Sequence, residues 1–204
     1  GSALTRSLAK AGHQLTLFAP DRAKLSDLVR AVQRELPAAR VTDAPDAVAA
    51  VRPAEVVIPA VWYATQAEVA SAIRAVVVGK IVVNIANPVN ETFDDVVTPP
   101  GTSAAEECAS QLPEATVVKA FNTVFAADFT APDFGGIRPD VFVAGDDESA
   151  VDIVSALVRD VGFNPLFVGR LPASRTLERM MVLLIGLSNR YTYNWRAGWK
   201  VLHG

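Results

Sequence analysis

The residues best suited to chemistry gather just past short apolar runs. Ala19-Pro20-Asp21-Arg22-Ala23-Lys24 follows the run Gln14–Phe18 and offers one carboxylate and two cations. Arg22 and Lys24 suit a phosphate, whereas Asp21 suits the N-cap of the helix that follows. An ordinary solvated helix start explains the same three residues. Ile58-Pro59-Ala60-Val61-Trp62-Tyr63 releases a proline and two aromatics from an apolar run, enough to wall a flat ring. Trp62 equally suits core or subunit-interface packing. Asn84-Ile85-Ala86-Asn87-Pro88 ends another run; Asn87 can hydrogen-bond a carboxamide or ribose, or simply start a turn before Pro88. Phe121-Asn122-Thr123-Val124-Phe125 brings an aromatic face and two small polar groups together.

Acid–base groups are scarce. His13 sits in a helix-to-strand turn and His203 close to the last residue. Lys119 falls within an apolar run, where a basic side chain is expected to reach solvent. Cys108 is the only cysteine, so neither an internal disulfide nor a zinc site is expected, and no metal site is read. Proton transfer in step with hydride transfer needs a donor. Hydride transfer between two bound rings needs juxtaposition and exclusion of water.

These groups need a scaffold that puts run ends side by side. Half of the 204 residues are apolar, enough for a sizeable core. Continuous apolar runs at Glu55–Pro59, Lys80–Ile85, Thr116–Phe121, Val141–Ala144 and Asn164–Val168 read as strands buried on both faces, as in a parallel sheet under helices. Helical spacing fills the intervals: Leu4 to Gly12, Ala23–Leu36, Pro45–Val51, Gln66–Val76, Ala104–Gln111, Ala150–Val161 and Ser174–Ser188. Ser103, with Glu106 three residues on, comes close to a capping box. Alternating β and α elements predict an α/β, doubly wound, mostly parallel sheet with helices on both faces. Ligands of such sheets gather beyond the strands' carboxyl ends.

Gly1 opens a helix that turns at Gly12-His13 into a strand. That is the second half of a glycine-rich dinucleotide turn, or else a plain N-cap glycine. The fold expectation is therefore Rossmann-like with its first strand missing. Residues 1–124 would form an incomplete dinucleotide-binding half, and 125–204 an α/β extension completing the same unit. A net charge of -3 and a pI near 5.4 give no basic face for nucleic acid. The longest apolar stretch, Met180 to Leu187, is far short of the ~20 residues that span a bilayer. A cytoplasmic protein with small-molecule partners, and neither nucleic acid nor membrane, is expected.

Taken in order, the motifs resemble the F420-dependent NADP oxidoreductases over nearly the whole chain. The matching pieces are Gly1, Ala11-Gly12-His13, Ile58-Pro59 with Trp62, Gly79-Lys80-Ile81-Val82-Val83 and Asn87-Pro88. Ser103-Ala104-Ala105-Glu106 with Val117 to Thr123 is the most specific piece. Val143 to Asp147, Gly162-Phe163 and Gly169 to Arg175 complete the series. The cytoplasmic reductase domain of haem-linked metalloreductases looks similar too.

The resemblance implies direct hydride transfer between NADP(H) and coenzyme F420, a deazaflavin, with a flavin as the other acceptor considered. It also implies a homodimer. On this reading Gly1, Ser2, Ala19, Asp21, Arg22, Lys24, Ile58, Pro59, Ala60, Val61, Asn87 and Pro88 hold the dinucleotide. Trp62, Asn87, Asn122, Thr123, Phe125, Leu171, Ala173 and Ser174 wall the hydride-transfer pocket, with no acid–base residue. The family often has Ser-Arg where this chain reads Ala19-Pro20-Asp21-Arg22, which leaves NAD possible. An NAD(P)-dependent dehydrogenase or reductase of a small metabolite is the alternative, and a non-catalytic dinucleotide-binding module the third reading.

Overall fold

The computed structural model describes all 204 residues. Helix α1 (Ser2–Lys10) leads through Gly12, whose φ of +91° suits a glycine, into strand β1 (Leu15–Leu17). Asp21 caps α2 (Arg22–Glu35) by accepting from the Lys24 amide at 3.0 Å. Next come β2 (Val41–Asp43), α3 (Ala47–Val51) and β3 (Val56–Val57). Helix α4 (Tyr63–Ile73) opens three residues earlier than its apolar spacing suggests, and β4 (Ile81–Asn84) follows. The second half holds α5 (Ala104–Gln111), β5 (Thr116–Lys119), β6 (Asp140–Gly145), α6 (Glu148–Asp160), β7 (Asn164–Phe167) and α7 (Ser174–Tyr191).

Five strands form one sheet in the order β3-β4-β5-β6-β7, parallel except where β5 meets β6. Adjacent residues of the central strands bury toward opposite faces. Val83 and Val118 join Leu4 and Leu8 of α1 and Val154 and Val158 of α6. Val82 and Val117 join Ala70 and Ile73 of α4 and Ala105 and Cys108 of α5. Each fully buried valine contributes roughly 1.5–3 kcal/mol. Both faces are covered, as the unbroken apolar runs require, and the α/β, Rossmann-like class is as expected.

One expectation needs correction. A single doubly wound sheet, as the alternation of elements predicts, would join the run Gln14–Phe18 to Val56–Ile58 and Ile81–Ile85. Instead β1 pairs only with β2, in a separate two-stranded parallel sheet. No strand of this chain lies between β1 and β3 to carry the hydrogen bonds across. Helix α1 joins the two parts through its side chains: Leu4 and Leu8 pack on the large sheet, Ala9 on α2 and β2.

Candidate functional site

The carboxyl ends of β4 and β5 open into a cleft of about 140 Å³. Ile85, Asn87, Phe121, Asn122 and Val124 come from those ends. Gly1, Ala3 and Leu4 come from the start of α1, and Ala126 and Phe129 from a short 3-10 turn. No ionisable side chain lines it. Phe121 has a φ of +61°. That left-handed conformation costs a bulky residue roughly 1–3 kcal/mol and so reports a constraint imposed by its surroundings. It turns the chain sharply after β5, leaving Phe121 buried 6.0 Å from the Phe129 ring and Asn122 against Asn87.

The two asparagines hold each other. Asn87 Nδ2 donates to the Asn122 carbonyl at 2.9 Å, and Asn122 Nδ2 donates to Asn87 Oδ1 at 2.9 Å. Asn122 Nδ2 also donates to the Leu177 carbonyl of α7 at 3.0 Å. A backbone carbonyl only accepts, so this contact fixes which way the Asn122 amide points. Asn122 Oδ1 and the neighbouring Thr123 hydroxyl are both buried without a partner. Buried polar atoms are normally paired; of these two residues Asn122 lines the cleft, so its orphaned oxygen is the one beside a bound molecule or water.

Of the dinucleotide candidates, Gly1 and Asn87 line the cleft. Gly1 caps α1, and a Cβ on it would stand 3.5 Å from the Ala60 Cβ, so this helix end abuts the loop after β3. Beyond β1, Arg22 donates to Asp43 Oδ2 at 2.8 Å and to the Ala44 carbonyl, spanning the ends of β1 and β2. Lys24 Nζ pairs with Asp21 at 3.1 Å and is largely exposed. The Lys24 backbone amide and side chain hold the Asp21 carboxyl below the usual carboxylate range.

Other candidates are placed elsewhere. Trp62, 74% exposed, caps α4 and does not line the cleft. Its neighbour Tyr63 donates to Glu107 at 2.8 Å; burial and that carboxylate push the phenol up to about 12. Pro59 flanks a small void with Gln66, Asn84 and Cys108. Thr123 follows Asn122 but is sealed. Phe125 packs on Met181, Leu184 and Ile185 of α7, edge-on to Trp195 at 5.4 Å. Leu171 is buried with Ala70, Val82 and Cys108 on the sheet face opposite the cleft. Ala173 packs beside Leu177, and the Ser174 hydroxyl donates to the Leu171 carbonyl. Of the predicted pocket residues, the structure thus gathers Asn87 and Asn122 in one cleft.

Lys119 overturns an expectation. It does not reach solvent but is fully buried. Its Nζ donates to Glu178 Oε1 at 2.7 Å, to the Ala86 carbonyl at 2.6 Å and to Asn84 Oδ1 at 2.9 Å. Asn84 Nδ2 donates to Gln66 Oε1 at 2.8 Å, Gln66 Nε2 to the Ala104 carbonyl at 2.8 Å, and the Ala104 amide to Glu178 Oε2 at 3.1 Å. Burial pulls the Lys119 pKa down against the pull of Glu178. A charge in an unbroken apolar run signals such a network, because burying it alone is prohibitive. Glu178, on a distant helix, could not have been named as partner.

Asp128 was also missed. It lies between the cleft residues Ala126 and Phe129, fully buried. Oδ2 accepts from the Phe125 amide at 3.2 Å, whereas Oδ1 has no partner. Burial raises its pKa to about 6. His13, by contrast, pairs with the half-exposed Asp160 at 2.9 Å, away from the cleft lining.

Known proteins resemble this chain in sequence and in fold. Residues 1–88 match the family described as NADP oxidoreductase, coenzyme F420-dependent. The chain is 36% identical over 118 residues to the F420-dependent NADP reductase of Methanocaldococcus jannaschii, 55% of this chain and 52% of that protein. It is 36% identical over 107 residues to metalloreductase STEAP3 of Rattus norvegicus, 52% of this chain and 21% of that one. The chain thus spans about half of the first and a fifth of the second. A solved structure from Arthrobacter sp. FB24, provisionally described as an F420-dependent NADP-reductase, superposes with a TM-score of 0.84 at 26% identity. It covers 100% of this chain and 97% of that one. The resemblance carried by the sequence motifs holds.

Proposed function

We propose, from this kinship with the F420-dependent NADP oxidoreductases, that the chain is an NADP(H)-linked oxidoreductase that passes a hydride directly to or from a deazaflavin or flavin. The observation that carries the reading is the cleft at the ends of β4 and β5: apolar walls, two interlocked asparagines and no ionisable side chain. With both cofactors bound, the nicotinamide C4 would exchange a hydride with the deazaflavin C5, and bulk water would supply the proton that completes the reduced ring. The chain's own part is to hold, orient and dry the rings. Ile85, Phe121 and Phe129 would give the nicotinamide its apolar bed, and Asn87 would hold its carboxamide. Gly1 and Ser2, at the α1 N-terminus, would face the pyrophosphate. Arg22, at the ends of β1 and β2, would meet the 2′-phosphate, which favours NADP over NAD. Residues 1–124 serve as the dinucleotide half in this reading, 125–204 complete the unit, and the active form is a cytoplasmic homodimer.

Asp128 supports a second reading. A buried carboxyl with a pKa of about 6, beside two cleft residues, is a candidate acid for reducing a ketone or imine. Steady-state assays of NADPH and NADH against F420, FMN and a panel of ketones and imines separate the two. With C4-deuterated NADPH, the first reading expects deuterium at C5 of F420. Turnover of a ketone or imine with no transfer to F420 or FMN would replace it with the second.

A further inference from the structure

We propose that the buried Lys119–Glu178 ion pair is a positioning device that sets the geometry of Asn87 and Asn122 in the cleft. The proposal rests on the reading of that cleft as the nicotinamide site. Two consecutive residues of α7 grip the two strand ends that supply the asparagines. The Leu177 carbonyl accepts from Asn122 Nδ2 at 3.0 Å, just beyond β5. Glu178 holds Lys119 at 2.7 Å, and Lys119 in turn holds the Ala86 carbonyl, one residue before Asn87, at 2.6 Å. Any slide of α7 along its axis would therefore move both ends of the asparagine pair.

Stability alone does not account for such a pair. Desolvating two charges costs several kcal/mol, and apolar replacements of similar volume are often neutral or better. What the pair supplies is direction. All three protons of the Lys119 ammonium are used: on β4 at Asn84, on the following chain at Ala86, and on α7 at Glu178. The second Glu178 oxygen takes the Ala104 amide at the start of α5. Gln66 of α4 closes the ring by bonding both Asn84 and the Ala104 carbonyl. Five elements, β4, β5, α4, α5 and α7, are tied into one network around this ammonium, whose contacts are directional, whereas the apolar packing around it is not. Lys119 and Glu178 do not line the cleft, so they act through the asparagines.

The test uses the full chain without ligand and reads the side-chain amide signals of Asn87 and Asn122 by 15N–1H NMR. Lys119→Met/Glu178→Met removes both charges and keeps the volume. Water exchange of the two side-chain amides should quicken by roughly two- to ten-fold, the factor that loss of one hydrogen bond gives. Val32→Ala, in the separate cluster of α2 and β2, should lower Tm without changing those signals. Glu178→Gln, which keeps the shape and one acceptor, should give the same change in smaller size, and it serves if the double variant does not fold. Amide signals that stay unchanged in the Lys119 and Glu178 variants would overturn the proposal, as would an equal change in Val32→Ala. Titration of the wild-type chain with NADPH reports on the site separately. Asn87 and Asn122 signals unmoved by saturating NADPH would sink the nicotinamide reading, while the exchange data would still decide the positioning claim.

Discussion

Replacing Asp128 by asparagine should remove a pH dependence of stability in a defined window. The carboxyl is sealed from solvent, with one oxygen on the Phe125 amide and the other on nothing. Burial lifts its pKa from 3.8 to about 6. Between those values the folded chain holds a proton that the unfolded chain has released, so stability falls as pH rises through the window and levels off above it. At about 1.4 kcal/mol per pH unit, the full span is an upper bound of about 3 kcal/mol. The substituted side chain would keep a carbonyl for the Phe125 amide and carry no charge. Its amide hydrogens, placed where Oδ1 lacked a partner, add a pH-independent cost of about 1 kcal/mol. Urea unfolding of both proteins at about pH 4 and about pH 7.5 measures the difference. The variant should gain about 2–3 kcal/mol on the wild type between the two, whatever the constant offset. A difference that does not change with pH, or that moves in favour of the wild type as pH rises, would refute the argument.

Three further outcomes follow from the geometry. Arg22→Ala should weaken NADPH by roughly 1.5–3 kcal/mol with little change for NADH, read by fluorescence titration; Lys24→Ala should do less, because its ammonium is largely exposed. Lys119→Met alone strands the Glu178 carboxylate and should cost about 3–5 kcal/mol in urea unfolding, more than the double replacement. Trp62→Ala should shift stability by less than about 0.5 kcal/mol, since the side chain is exposed, so a larger loss would mean that it packs on something.

The sequence carried the alternation of elements because continuous valine-rich runs have few homes other than a strand covered on both faces. Caps were legible for a similarly local reason: Asp21 and Ser103 each meet an amide three residues on. The asparagine pair was half legible. Asn87 and Asn122 were singled out as strand-end groups, but that each would bond the other depends on the register of β4 against β5. What stayed hidden is nonlocal. Glu178 meets Lys119 across 59 residues, and nothing in either segment specifies the other. Asp128 reads as any loop aspartate; its burial and its bond to the Phe125 amide come from the tertiary fold. The reversal of β6 against β5 rests on the long path through residues 120–139, which no short-range pattern encodes.

The division of the strands into two sheets has a consequence for how the molecule comes apart. Backbone hydrogen bonds spread cooperativity across a sheet, and none joins β1 to β3. The lobe of β1, β2 and α2 leans on the rest through side chains, chiefly those of α1. It should behave as a separate foldon that opens without disturbing the five-stranded core. In native-state hydrogen exchange, the amides of Leu15 and Ala44, whose acceptors lie within the lobe, would lose protection at lower denaturant than those of β4 and β5. Arg22 stands on this lobe and the asparagine pair on the core. A ligand that touches both would restore the missing cooperativity and merge the two openings into one.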